Sequence, residues 1–267
     1  MPAVVAALLA LLVAAGTPAP QNREGQLSLE RARALYEAHD DSGESVRAAE
    51  AEFRRALQLN PRLAAAAAYL GFIAADRDKP DEAEAEYREA LKIDPNCAEA
   101  HVGLGRLDLE RGKRTEALAE YRQAVSGDPG NALARRVLAE ALTYSGGPHN
   151  EAERLEAIGC WQALIRLDRN DRQAHHELGR AYQELSRWAE SEREFREVLR
   201  IGQLPDDTVV WVYQVHSDLA AVLEKQGKFA DAIREYRALI GSRGAGEDEI
   251  QAAKARIEAL RRAKRAK

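Results

Sequence analysis

Apolar side chains return every three or four positions along most of this chain, with charged residues between them, and the pattern is cut at short intervals by Pro, Gly, Asn or Asp. That period is the signature of amphipathic helices, and the interruptions mark their ends. The stretch from Glu247 to Ala266 shows it plainly, with Ile250, Ala253, Ile257 and Leu260 at helical spacing. Long alternating runs of Val, Ile, Thr and Tyr, which a half-buried sheet needs, are missing from the sequence. The expectation is an all-α fold.

The helical pattern is periodic on a second, longer scale. Ala56-Leu57-Gln58-Leu59-Asn60-Pro61, Ala90-Leu91-Lys92-Ile93-Asp94-Pro95 and Ala124-Val125-Ser126-Gly127-Asp128-Pro129 share one pattern, and their prolines recur every 34 residues. Other markers keep the same schedule: Leu70-Gly71, Ala83, Tyr87 and Ala90 in one unit, and Leu104-Gly105, Ala117, Tyr121 and Ala124 in the next. A small residue after Leu, and an Ala opening the following helix, suit a close helix-helix contact in which bulk would overpack by about 1–3 kcal/mol. The aromatic four residues beyond that Ala lies on the same helical face and is placed to fill the gap to the neighbouring unit.

These markers resemble the tetratricopeptide repeat. The resemblance implies two antiparallel helices per unit and a right-handed superhelical solenoid of about six units, approximately 30–63, 64–97, 98–131, 132–171, 172–205 and 206–243, inside a repeat region of 23–243. Residues 244–267 are expected to form a basic capping helix. Arg169 stands where the fourth unit would have its proline, and the six extra residues of that unit are assigned to the turn-rich Ser145-Gly146-Gly147-Pro148-His149-Asn150. The fifth unit carries Leu178-Gly179, Tyr182, Ser191, Phe195 and Val198, with Gln203 in the proline's place and Pro205-Asp206-Asp207 beyond it. The sixth has Leu219-Ala220, Ala232, Tyr236 and Leu239, its first helix displaced by seven residues around Val209-Val210-Trp211-Val212, which a longer first helix would explain. In the first unit Ala49, Phe53, Ala56 and Pro61 fit, whereas the first helix, around Leu29 to His39, fits poorly, as a terminal repeat facing solvent does.

Charge refines the picture at both ends. Net charge is -5 and opposite signs are interleaved, as on solvated helix faces, so no nucleic-acid partner is expected. Only Lys254 to Lys267 is basic, and it reads as the polar face of a last helix. Met1 to Asn22 carries no charged side chain, and Val4 to Ala15 is an apolar run about 18 Å long as a helix, too short for a roughly 30 Å bilayer core. Followed by Ala14-Ala15-Gly16, Pro18 and Pro20, residues 1–22 read as a signal peptide and short linker, cleaved after Ala15 or Gly16, although no Lys or Arg precedes the run. A retained anchor, the one expected membrane contact, and a buried N-terminal helix are the alternatives. Cys97 and Cys160 are too few for a disulfide framework and fall in different repeats.

Nothing in the pattern marks a catalytic, cofactor or metal site. His101, His175 and His216 each take the fourth position of a unit and are expected to pack between helices. His175-His176-Glu177 lacks the i, i+3 or i, i+4 spacing of a helical zinc pair, and Gly71, Gly105 and Gly179 lie within helices, not in a phosphate loop. The expectation is a non-catalytic adaptor or scaffold for a protein or peptide partner, in the periplasm or cell envelope if exported. An accessory subunit of an envelope enzyme or assembly complex and a self-associating structural protein are the alternative readings. By resemblance, the partner lies in a concave groove lined by first helices, at Ala65, Ala68, Phe72, Arg106, Arg136, Tyr144, His176 and Arg180. The apolar patch at Phe72 is expected to receive apolar side chains, and Arg136 and Arg180 an acidic group; the alternative is a solvated ladder of helix charges beside a Phe72 covered by the first unit. The Asn- and Lys-rich clamp by which some family members hold a terminal carboxylate is absent from these positions.

Overall fold

The computed structural model describes residues 20–38, 43–144, 150–202 and 212–265. The expected cleavage site, most of the Ser145–Asn150 cluster and the Val209–Trp211 stretch lie outside them. Among the described residues there are thirteen α-helices and no strands. They are α1 (Pro20–Glu37), α2 (Glu44–Leu59), α3 (Ala64–Asp76), α4 (Pro80–Ile93), α5 (Ala98–Glu110), α6 (Arg114–Gly127) and α7 (Ala132–Tyr144), then α8 (Glu151–Leu167), α9 (Arg172–Glu184), α10 (Trp188–Ile201), α11 (Val212–Lys225), α12 (Phe229–Gly241) and α13 (Glu247–Arg265). The first starts at Pro20, upstream of the Leu29 start read from the sequence, and proline's fixed φ and missing N–H suit a first helical turn.

The chain forms two compact halves, Met1–Ala134 and Arg135–Lys267, the division falling inside α7. In the N-terminal half α1 packs on α2, α3 on α4 and α5 on α6, and each pair then rests on the next. In the C-terminal half α9 pairs with α10 and α11 with α12, with α13 against α12. The buried face of α13, formed by Ala253, Ile257 and Leu260, joins a core with Leu219, Leu223 and Tyr236. Each half is thus an all-α array of antiparallel helix pairs.

Glycine and aromatic positions explain the tight pairing. Tyr87 on α4 is 1% exposed. A Cβ on Gly71 would stand 2.5 Å from its ring, and one on Gly103 of the following repeat 2.2 Å. The ring is therefore slotted between two first helices, and only glycine leaves it room. Gly105 receives Tyr121, and Gly179 receives Phe195, in the same way.

Turns repeat as faithfully as helices. Between the two helices of a repeat, one residue adopts the left-handed conformation: Asp78, Gly112, Ser186 or Gly227, with φ of 58°, 73°, 57° and 74°. Each turn is closed by the same two bonds, as from Gly112 N–H to the Leu109 carbonyl and from Lys113 N–H to that of Asp108. Between repeats, the side chain before the proline accepts a backbone N–H two residues on, at Asn60, Asp94, Asp128 and Asp168. This Asx turn survives where Arg169 replaces proline, which is why that repeat still ends on schedule. Part of its extra length lies in α8 itself, which has 17 residues against 14 in α4 and α6. The sequence reading had placed all of it in the turn.

Candidate functional site

In the N-terminal half, the face presented by first helices is an aromatic and guanidinium ladder. Tyr69 stacks on Phe53 with centroids 4.9 Å apart and meets Tyr36 and Phe72 edge-on at 5.7 and 5.5 Å. Phe72 in turn meets Tyr87 at 5.5 Å, and the Arg106 guanidinium lies 5.6 Å from its centroid. Arg33 covers Tyr69 at 5.1 Å and reaches from α1 past α3 to bond Glu99 of α5 at 2.8 Å. Small side chains at Ala65 and Ala68 accompany this crossing. The Tyr36 hydroxyl donates to Asp76 at 2.8 Å, and burial, reinforced by that carboxylate, raises the phenol's pKa.

These contacts correct the reading of Phe72 as an open apolar patch. Phe72 is 4% exposed and Ala68 fully buried, while Ala65 is half-buried against the first repeat's core. The covering groups are Tyr69, Tyr87 and Arg106, from its own repeat and the next. Arg106 alone of the four expected N-terminal residues stays exposed.

The expected residues of the C-terminal half behave differently. Tyr144, at the end of α7, is 51% exposed yet held firmly: its hydroxyl donates to Glu177 and accepts from Arg180 at 3.1 Å, and the Arg180 guanidinium lies 5.8 Å from its ring centroid. His176 is buried, with Nε2 3.0 Å from Asp218 and Nδ1 3.7 Å from Glu177. Burial alone would lower its pKa, but the Asp218 and Glu177 carboxylates outweigh it and the net direction is up. Glu177 shows the converse: burial opposes ionisation, yet His176, Tyr144 and Arg180 together bring its pKa down. Beside this network a recess of about 350 Å³ is lined by Arg180, Tyr213, Gln214, Ser217 and Asp218, among others. Arg136 stands apart from the network, its guanidinium bonded to Asp171 at 2.6 Å and Gln173 at 3.0 Å.

Tyr144, His176 and Arg180 thus converge through Glu177, whereas Arg136 is committed to the start of α9. The sequence reading missed Glu177 and Asp218. Glu177 was visible only as part of a string rejected as a metal motif, and the displaced sixth repeat hid the register of Asp218. Among the described residues no group of three His, Cys, Asp or Glu is placed to hold a metal ion.

Residues 74–139 match the family model for the tetratricopeptide repeat. That segment of the chain is made of tetratricopeptide repeats. No curated protein sequence matches it significantly. Solved structures similar to this chain include pilF of Pseudomonas aeruginosa, at 18% identity over 89% of this chain and 99% of that one, with a TM-score of 0.61. YrrB, described as a TPR protein with an unusual peptide-binding site, matches at 17% identity over 76% of this chain and 97% of that one, with a TM-score of 0.60. PilW, described as a widely conserved type IV pilus biogenesis factor, matches at 18% identity over 88% and 99%, with a TM-score of 0.56. At these identities the likeness is one of fold.

Within the tetratricopeptide repeats the fourth-position histidines are more than packing residues. His101, His175 and His216 each place Nδ1 against a glutamate nineteen residues on, Glu120, Glu194 and Glu235, at 2.7, 2.7 and 2.8 Å. The first two also set Nε2 against the carbonyls of Pro95 and Arg169, so each bridges the turn before its repeat to the repeat's second helix. For both, burial depresses the imidazole pKa, and the glutamate and carbonyl more than restore it, leaving a net rise. The recurring spacing of nineteen was a signal available in the sequence.

Proposed function

We propose that this protein is a non-catalytic scaffold that holds an extended segment of a partner protein, and that in the C-terminal half the segment crosses the first-helix face at Tyr144, Arg180, Tyr213, Gln214 and Ser217. Tetratricopeptide repeats act in general by binding protein or peptide partners. The observation that carries the site is Tyr144: an aromatic ring half in solvent, fixed by two bonds to its hydroxyl and by an adjacent guanidinium. A rigid Tyr with Arg beside it loses little conformational entropy on binding, and such residues are enriched at the centres of protein interfaces. Arg180 keeps donors for an acceptor on the partner, and the recess beside it takes a side chain of mixed polarity. Arg136 contributes by orienting α9 through Asp171. In the N-terminal half Arg106 is the groove residue that reaches a partner, with Ala65, Ala68 and Phe72 supporting it from within.

The protein is proposed to work outside the cytoplasm, in the periplasm or cell envelope, because its uncharged apolar start has the length of an export signal. Among the described residues no helix is long and apolar enough to cross a membrane. The N-terminal sequence of the mature protein tests export: removal of the first fifteen or sixteen residues is expected, and an intact Met1 contradicts it. The binding reading is tested by replacing Tyr144 and Arg180 together with Ala. Both are surface groups, so the melting curve should stay near wild type while co-purification of the partner from the native envelope is lost. Retention at wild-type yield contradicts the site.

A further inference from the structure

A second recess, away from Tyr144 and independent of the binding face just proposed, carries an excess of positive charge. It has a volume of about 410 Å³ and lies beside the His175–Glu194 clamp. Three arginines line it: Arg166 from the last turn of α8, Arg169 from the following turn, and Arg193 from α10. All three are exposed, and among the described residues none forms an ion pair. The two carboxylates in the same lining are already engaged, Glu194 by His175 at 2.7 Å and Glu197 by the Arg200 guanidinium at 2.6–2.9 Å. Glu190, three residues before Arg193, is taken by Arg187 at 2.7 Å.

The neighbouring repeat supplies an internal comparison. An equivalent recess of about 450 Å³ adjoins His216 and Glu235, and Arg234 occupies the place of Arg193. There the carboxylate three residues earlier, Asp231, does pair with the arginine, at 2.6 Å. Arg172 also lines that recess, but the arginine one residue before the clamp glutamate is paired on its own helix in one repeat, as Arg234, and, among the described residues, unpaired in the other, as Arg193.

We propose that the recess lined by Arg166, Arg169 and Arg193 is a docking site for an acidic peptide segment of a partner protein. Guanidiniums pair with planar carboxylates through two parallel hydrogen bonds, and three of them from successive segments match several Asp or Glu side chains better than one small ion. Ile165, half-buried, adds an apolar surface for the segment's backbone or a flanking side chain. A nucleic acid fits poorly, because it requires a continuous basic stripe, whereas here the arginines are ringed by carboxylates on a chain of net charge -5.

The test is fluorescence anisotropy on the full chain with a labelled hexaglutamate peptide. A hexalysine peptide, a single-stranded oligodeoxythymidylate and inorganic phosphate serve as comparison probes. Expected is saturable binding of hexaglutamate that weakens with salt and falls by about tenfold or more in the Arg166→Ala/Arg193→Ala variant. Arg234→Ala should change it by less than about twofold. Absence of hexaglutamate binding, an equal loss in Arg234→Ala, tighter binding of the oligonucleotide, or full displacement by equimolar phosphate would overturn the proposal. All the substituted side chains are exposed, so the variants fold and each result is decisive.

Discussion

Gly103→Ala and Gly159→Ala are the same chemical change in the interior of a helix, and the structure predicts opposite signs for them. On helix propensity alone, each should stabilise by about 0.5–1 kcal/mol, because glycine loses more backbone entropy than alanine. At Gly159 of α8 nothing lies within 4 Å of the new Cβ, so this gain is expected in full. At Gly103 the Cβ meets three carbons of the Tyr87 ring at 2.2, 2.3 and 2.6 Å. The ring cannot yield, since Gly71 closes its other side and Phe72 packs against it. Overpacking of this kind costs about 1–3 kcal/mol, and more where the backbone must part. The net for Gly103→Ala is a destabilisation of about 1–2 kcal/mol once the propensity gain is subtracted. Urea unfolding followed by far-ultraviolet circular dichroism reads both variants against wild type. A third variant, Gly103→Ala in a Tyr87→Ala background, tests the cause: with the ring gone, the added methyl should cost nothing further. Equal shifts for Gly103→Ala and Gly159→Ala, or an undiminished penalty without the ring, would refute the slot between first helices as the packing principle.

Three further outcomes follow from the turns, caps and clamps. Ser186→Gly should stabilise by about 1 kcal/mol, because φ at Ser186 is 57° and the equivalent turns hold Gly112 and Gly227; a lower urea midpoint would contradict this. Asp171→Ala removes both the cap to the Ala174 N–H and the Arg136 pair, and should cost about 2 kcal/mol. Asp171→Asn keeps the cap and should cost about half as much, so equal urea midpoints would show the pair to be inert. His101 and His175 bind protons more tightly in the folded chain than their ordinary value of 6.5. Their contribution is therefore fully present below pH 6.5 and is lost as pH rises through the higher folded value. Unfolding midpoints should accordingly fall above pH 6.5, less so in His101→Gln/His175→Gln, and a midpoint rising over that window would contradict the clamps.

The helix pairs were legible because their determinants are local and recur. Gly71, Ala83 and Tyr87 carry the close contact in their own residue types, and Asn60, Asp94 and Asp128 announce the turns. What stayed hidden depends on pairs that no single repeat contains. Phe72 seemed open because its position in the repeat faces the groove, yet its cover comes from Tyr69, aromatic only in this repeat, from the recurring Tyr87, and from Arg106 of the next. The bond from Arg33 to Glu99 joins side chains 66 residues apart, and nothing in the pattern around either residue names the other. The histidines lay between these cases. Their position was read correctly, but their role depends on Glu120, Glu194 and Glu235, one helix away, which become meaningful only when the spacing is compared across repeats.

The central claim, that a partner segment lies on the first-helix face at Tyr144, is tested most directly by photocrosslinking from single positions in cells expressing the full chain. A photoreactive phenylalanine analogue at Ser217, beside the recess that Arg180 and Tyr213 line, should yield one discrete protein adduct. The same group at Glu89, an exposed position on the second helix α4, should yield none, and Tyr144→Ala/Arg180→Ala should abolish the Ser217 adduct. An adduct that forms equally from both positions, or that survives loss of Tyr144 and Arg180, would contradict the account.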